Sequence, residues 1–262
     1  MAKQKGIIKI KGTIQGLCYY KLNGKDIIRK ASGPSKERIN SDPAFVNVKA
    51  NNQEFRAAVL IAKSIIRGLG PMAKKFRDTY MQSRLTGICC KIIQNGDGRL
   101  GQREANLCNK PNELIGFQLN KSQSFSKIYT AQIQITYNKQ QNDITIIIPK
   151  SRESNLNIRP KNASHFILTL AVSIVSTYQW KEIVESYHPL QPDQNALGVI
   201  MQSQPLLVNA EHQNMIMKVP VPIKKTSKIA FTVWMGIDFG QELKGKYIEI
   251  ETVRAMEHMA IL

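Results

Sequence analysis

The chain has 262 residues and no run of about 18 consecutive apolar residues, so no membrane-crossing helix is expected. It is short of acid, with 19 Asp and Glu against 37 Lys and Arg and a formal net charge of +18. Aromatic residues are only 7% of the chain, which leaves core formation to aliphatics, and a hydrophobic fraction of 42% suffices for that. The four cysteines are Cys18, Cys89, Cys90 and Cys108. No two stand in a C-x-x-C pattern and adjacent Cys89 and Cys90 bridge poorly, so free thiols are expected. The four histidines, His165, His188, His212 and His258, stand at no metal-ligand spacing. Neither a G-x-S-x-G nor a phosphate-binding G-x-x-x-x-G-K-[ST] occurs. Gly96, Gly98 and Gly101 are too loosely spaced for a phosphate cradle and read as a plain loop. Asp238 and Glu242 are the one carboxylate pair on offer for acid–base work, and at a strand end such a pair reads as a turn. These absences point away from an enzyme, and no cofactor, metal or small-molecule substrate is expected. The opening Met-Ala-Lys-Gln-Lys-Gly has charge but no apolar stretch behind it, so no secretory signal is expected. The setting expected is cytoplasmic, or the inside of a virion-like particle.

What is present is basic charge, unevenly spread. Residues 1–110 hold 22 Lys and Arg against 7 Asp and Glu, a net +15, while residues 111–262 hold 15 against 12, a net +3. Such asymmetry suggests an acidic partner, and phosphate backbones are the commonest kind, because binding releases condensed counterions.

The stretch Gly6–Gly33 is short, basic and β-patterned. Ile8 and Ile10 alternate with Lys9 and Lys11, as on a strand with one wet face. Gly12 and Gly16 bracket Thr13-Ile14-Gln15 and mark bends. Asn23-Gly24 separates Leu17–Leu22 from Lys25–Lys30, the strongest short-range hairpin signal, because a type I′ turn needs positive φ at both central residues. A lone hairpin is marginal in water. It must either cover its own core or pair with a neighbouring chain. The candidate assembly residues on this arm are Ile8, Ile10, Thr13, Ile14, Leu17, Tyr19, Tyr20, Ile27 and Ile28. Its candidate phosphate-contacting residues are Lys9, Lys11, Lys21, Lys25, Arg29 and Lys30, which put cations beside two tyrosines that could stack on bases.

Gly12-Thr13-Ile14-Gln15-Gly16-Leu17-Cys18-Tyr19-Tyr20-Lys21, Ile28-Arg29-Lys30, Ser35-Lys36-Glu37-Arg38-Ile39, Asp42-Pro43-Ala44-Phe45 and Glu54-Phe55 carry a resemblance. Over about the first 60 residues the chain resembles an uncharacterised family of Bacteroidota proteins that opens with Gly-Thr-Ile-Gly-Gly-Leu, an aromatic pair and Lys. It departs from that pattern at Gln15, where the family prefers Gly, and over Val46–Asn52, where it prefers an Arg-rich run. The resemblance implies a small cytoplasmic protein tied to phage-like or other mobile elements. It implies no activity and transfers no site residues.

Ala31–Ser41 reads as a linker punctuated by Ser, Gly and Pro. Asp42-Pro43 starts a helix, with Asp42 as N-cap, and Phe45, Val48, Asn52, Phe55, Val59, Ala62 and Ile66 keep helical spacing to about Arg67. Gly68-Leu69-Gly70-Pro71 stops it. A second helix is expected from Pro71 to about Ile92, antiparallel to the first. The wet faces of the two helices add Lys63, Arg67, Lys74, Lys75 and Arg77 to the candidate nucleic-acid-binding residues.

From about Leu114 the pattern turns to strands. Those expected are 115–119, 128–137, 144–149, 166–176, 182–187, 199–202, 206–208, 215–219, 228–239 and 247–253, with a turn over 138–143 and Trp180, Phe231 and Val233 in the core. The fold class expected is α+β. A basic N-terminal β-hairpin arm with a linker (1–41) precedes an antiparallel helical hairpin (42–98) and an antiparallel, Ig-like β-sandwich (99–262). Two functions follow. One is a non-enzymatic, self-assembling structural protein, a virion- or filament-like subunit that partners with itself. The other is a monomeric or dimeric protein that binds DNA or RNA without sequence preference.

Overall fold

A computed structural model of the chain describes residues 2–31, 33–243 and 246–262. The fold is mixed α+β with antiparallel sheets. It divides into two compact units, Met1–Lys49 and Ala50–Leu262.

In the first unit β1 (Ala2–Lys3), β2 (Gly12–Ile14), β3 (Leu17–Leu22) and β4 (Lys25–Lys30) form one sheet in the order β1-β4-β3-β2. The β3–β4 hairpin has the bounds its sequence indicates. Asn23 and Gly24 turn it at φ 50° and 77°. A second turn of the same kind, at Gln15 (φ 46°) and Gly16 (φ 75°), joins β2 to β3. Gln15 therefore holds a left-handed conformation that suits glycine better than a residue with a side chain. The Ile8–Ile10 alternation is not a strand. Residues 4–11 form an irregular excursion, closed where the Gln4 side chain donates to the Ile10 carbonyl and accepts from its N–H. The segment read as a linker contains α1 (Lys36–Ser41), capped by the Ser35 hydroxyl, which accepts from the Arg38 N–H. Asp42 caps the next turn as its sequence suggests, accepting from the Ala44 N–H at 2.9 Å with Pro43 in the first position.

The helix α2 (Val46–Leu69) begins in the first unit and continues in the second, where it ends at Gly70, whose φ of 53° precedes Pro71. The expected second helix is broken in two, α3 (Pro71–Phe76) and α4 (Met81–Ile93). Asp78 breaks it. Its carboxylate accepts from the N–H groups of Tyr80 and Lys121 and from Arg84, which holds the chain in a turn a helix could not provide. Then follow α5 (Phe125–Ile128), β5 (Gln134–Asn138), β6 (Asp143–Ser151), β7 (His165–Ser176), β8 (Tyr178–Lys181), β9 (Ser186–Pro189), β10 (Leu197–Gln202), β11 (Leu206–Leu207), β12 (His212–Pro220), β13 (Ile229–Leu243) and β14 (Lys246–Ile261).

The large sheet runs β10-β7-β13-β14 with β11 on β7, the smaller runs β12-β6-β5, and β8 pairs with β9. The two larger sheets enclose a core in which Leu168, Leu170, Val172, Phe231, Val233 and Ile237 meet Ile144, Ile146, Ile148 and Met217. The opposite face of the large sheet is also dry. Ala171, Val175, Ala230, Trp234 and Met256 share a second core with Ile61, Ile65 and Leu69 of α2, Phe76 of α3 and Leu85 and Cys89 of α4. The helices are thus a layer on the sheet within one compact unit, where the sequence reading kept them apart from the strands. An Ig-like sandwich of two wet-backed sheets has no such layer. The physical reason lies in β7 and β13, which are apolar almost without alternation, as strands covered on both faces must be. Small residues on one face, Ala171 and Ser173, let α2 approach.

Three expected strands differ. Residues 115–119 are irregular but lie along the edge of β14, where the Gly116 and Leu119 N–H groups reach the His258 and Met256 carbonyls. Residues 128–133 hold the end of α5, an isolated bridge from Tyr129 to Leu156 and a bend, and 182–184 a 3-10 turn before β9. Trp180 is half-buried, while Phe231 and Val233 are fully buried. Among the described residues no helix is long and apolar enough to cross a membrane.

Candidate assembly surface and basic faces

Strand pairing fixes which arm side chains share a face. Tyr19 stands opposite Ile28, Leu17 opposite Lys30 and Ile14, and Tyr20 opposite Ile27. Since neighbours on a strand point to opposite sides, Ile14, Leu17, Tyr19, Lys21, Ile28 and Lys30 lie on one face. Thr13, Tyr20, Lys25, Ile27 and Arg29 lie on the other. The only buried residue among those described in this unit is Ile27, at 8% exposure. Ile8 (82%), Ile14 (48%) and Leu17 (40%) are open, and so is Ile10. Such a sheet buries far less apolar surface than a small domain needs.

The arm's cations divide between the two faces rather than gathering on one. Lys9, Lys11, Lys21, Lys25, Arg29 and Lys30 are all exposed. Lys9 donates to the Gln4 carbonyl, and the Arg29 guanidinium stands 5.7 Å from the Tyr20 ring centroid. The two tyrosines, being adjacent, face opposite ways.

On the helices, Lys63 and Arg67 are exposed one turn apart on α2. Lys74 and Arg77 border one hollow with Asp78, Thr79 and Gln82. Lys75 departs from the basic-face reading. Its ammonium lies 2.9 Å from Asp238 and 3.1 Å from Glu249, with one fifth of its side chain exposed, so it is an internal ion pair. The Tyr247 hydroxyl completes the group, donating to Asp238 at 3.3 Å. Burial pushes the Asp238 carboxyl above its ordinary range, partly opposed by Lys75. Glu242 is elsewhere, exposed and 3.8 Å from His165, so Asp238 and Glu242 do not meet as a catalytic couple.

The cysteines are free. Burial pushes the Cys89 thiol far up, away from thiolate chemistry. Among the described residues no group of three or more His, Cys, Asp or Glu is placed to hold a metal ion. His258 is buried against Trp234, rings 5.0 Å apart, and burial holds its imidazole down at about 3 against smaller effects of the Leu114 and Ala260 backbone.

Two concave features escaped the sequence reading. One is an apolar groove of Phe55, Val59, Leu60 and Trp180, edged by Arg56 and Lys63. The other is a cavity bordered by Lys139, Lys224 and Lys225. The signal for the second was the basic run Lys224-Lys225-Thr226-Ser227-Lys228, which forms one rim only where the fold brings Lys139 beside it. No protein-family model matches the chain, and no curated protein matches it.

Proposed function

We propose that this chain is a non-enzymatic, self-assembling structural subunit, of the kind that builds a virion-like shell or a filament, and that its N-terminal sheet docks onto a second copy. The observation that carries this is the unit Met1–Lys49, whose four-stranded sheet leaves a single side chain buried among the described residues. Its edge strands are two and three residues long, so edge pairing offers only a few hydrogen bonds. Its face of Ile14, Leu17, Tyr19 and Ile28 offers more, since burying an Ile or Leu side chain is worth about 1.5–3 kcal/mol. Both cores of the second unit are built from residues after Lys49, which supports a body that folds without the arm.

The test is native mass by light scattering for the full chain and for a chain lacking residues 1–30, with circular dichroism on both. A multimeric full chain beside a folded, monomeric truncation is the expected result. A truncation that still assembles rejects the arm as the assembly device.

A second reading, sequence-nonspecific nucleic-acid binding, draws on the exposed pairs Lys63 with Arg67 and Lys74 with Arg77. The two are compatible, because coat-like subunits also meet nucleic acid.

A further inference from the structure

The cavity bordered by Lys139, Lys224 and Lys225 has a volume of about 520 Å³, and Tyr137, Cys108, Thr226 and Ser227 complete its wall. Its construction separates it from a chance patch of surface lysines. Lys139 belongs to the β5–β6 turn and Lys224 and Lys225 to the loop between β12 and β13. One side chain clamps these two segments together. Asn142, at φ 53°, donates from its amide to the carbonyls of Val221 (2.6 Å) and Ile223 (2.9 Å) and accepts from the Tyr137 hydroxyl (2.8 Å). Its backbone carbonyl takes the Val221 N–H at 2.9 Å. Tyr137 is held in turn by its edge-to-face contact with buried Phe231, 5.6 Å between centroids. The loop bearing two lysines is therefore fixed against the turn bearing the third.

The charges are arranged unequally. Lysines just outside the cavity have carboxylate partners, Lys228 with Glu104 at 2.6 Å and Lys218 with Asp143 at 3.0 Å. Lys139, Lys224 and Lys225 have no carboxylate partner among the described residues. Three unanswered ammonium groups around one concavity repel each other, and the half-buried Asn142 amide holds together the two segments that carry them. An anion of high charge density relieves that repulsion.

We infer that this cavity is a binding site for phosphate oxyanions, taking a ligand that presents two or more phosphates. The cations are all lysines, with no arginine. Planar two-point recognition of a carboxylate favours arginine, whereas an ammonium meets a phosphate oxygen from any direction. The Ser227 hydroxyl supplies a neutral donor on the same rim. The site is independent of the arm and of the assembly reading.

The test uses the full chain, inorganic tripolyphosphate by calorimetry, and a labelled 12-nucleotide single strand by anisotropy. Three proteins are compared: the wild type, Lys139→Gln/Lys224→Gln/Lys225→Gln, and the arm control Lys21→Gln/Lys25→Gln/Lys30→Gln. All six substituted lysines are exposed, and surface changes of this kind leave the fold intact in both variants. The expected result is saturable tripolyphosphate binding by the wild type and the arm control, weakened at least tenfold in the cavity variant. If the oligonucleotide follows the same pattern and competes with tripolyphosphate, the phosphates belong to a nucleic-acid backbone. If it does not, they belong to a small phosphorylated ligand. The site is rejected if the wild type shows no saturable binding, if the cavity variant binds as the wild type does, if only the arm control loses binding, or if polyglutamate displaces tripolyphosphate at equal charge.

Discussion

The backbone of Gly68, near the end of α2, packs directly on that of Gly198 in β10, with no room between them for a β-carbon on Gly198. Gly68 itself faces the Ser173 side chain and the Leu197 carbonyl, again without space for a methyl group. This contact sets how closely the helical layer sits on the large sheet.

Two helical glycines should therefore respond to alanine with opposite signs. Propensity alone makes Gly→Ala within a helix stabilising by about 0.5–1 kcal/mol. Gly87 in α4 has nothing within 4 Å of where its β-carbon would be, so Gly87→Ala should follow that rule. Gly68→Ala should instead destabilise by about 2 kcal/mol or more, because the displaced atoms are backbone and a buried side chain. Urea midpoints of the two variants decide the matter, and a Gly68→Ala protein as stable as the wild type would show that the layers can part without penalty.

Acid should weaken this protein through His258 before its carboxylates matter. The imidazole titrates at about 3 in the folded chain against an ordinary 6.5, so between those values the unfolded state holds a proton that the native state does not. Stability is then fully present above pH 6.5 and falls on acidification, by at most about 1.4 kcal/mol per pH unit from this group. His258→Phe, which keeps a ring against Trp234, should flatten the slope measured between pH 6.5 and 4.5. An unchanged slope would mean that another group takes up the proton.

Lys75 and Asp238 should behave as a coupled pair. Asp238 is 1% exposed, so Lys75→Met strands a buried carboxylate and should reduce stability by about 3 kcal/mol. Adding Asp238→Asn should recover more than half of that loss, which a double-mutant cycle measures directly. Additive single effects would place the ion pair outside the energetics of the fold.

The arm's two faces should differ in assembly. Ile14→Lys with Leu17→Lys charges the face of Tyr19 and Ile28 and should lower the native mass, while circular dichroism stays that of the wild type. Thr13→Lys, on the other face, should leave the mass unchanged. Equal effects of both changes would move the assembly surface elsewhere.

If the helical face contacts nucleic acid, Lys74→Glu with Arg77→Glu should weaken binding and lower its salt slope by about 2, one per lost phosphate contact. Lys75 is unsuitable for that test, because its charge is already engaged by Asp238 and Glu249. An unaltered slope would remove this face from consideration.

Local chemistry was legible in the sequence wherever it acts over a few residues. Asn23-Gly24 has the φ values its hairpin requires, Asp42-Pro43 caps as written, and the turn over 138–143 joins β5 to β6, because each depends only on backbone sterics and nearby donors. The α+β class followed from hydrophobic period in the same way. The exposed arm was legible in part, since a hairpin that precedes any core-forming element has little to bury itself against. Tertiary structure decided the rest. Ile8 and Ile10 alternate like a strand, yet the Gln4 amide captures the Ile10 backbone and no strand forms. The helix expected from Pro71 breaks because Asp78 is engaged by the N–H of Lys121, 43 residues on. The helices join the sheet because β7 and β13 need cover on both faces, a demand visible as unbroken apolar runs but satisfied only by partners far along the chain. Lys75 changes from surface cation to internal ion pair, and Lys139 joins Lys224 and Lys225, for the same reason. Charge and hydrogen-bond partners chosen at long range are set by the packing of whole elements, and no short window of sequence contains them.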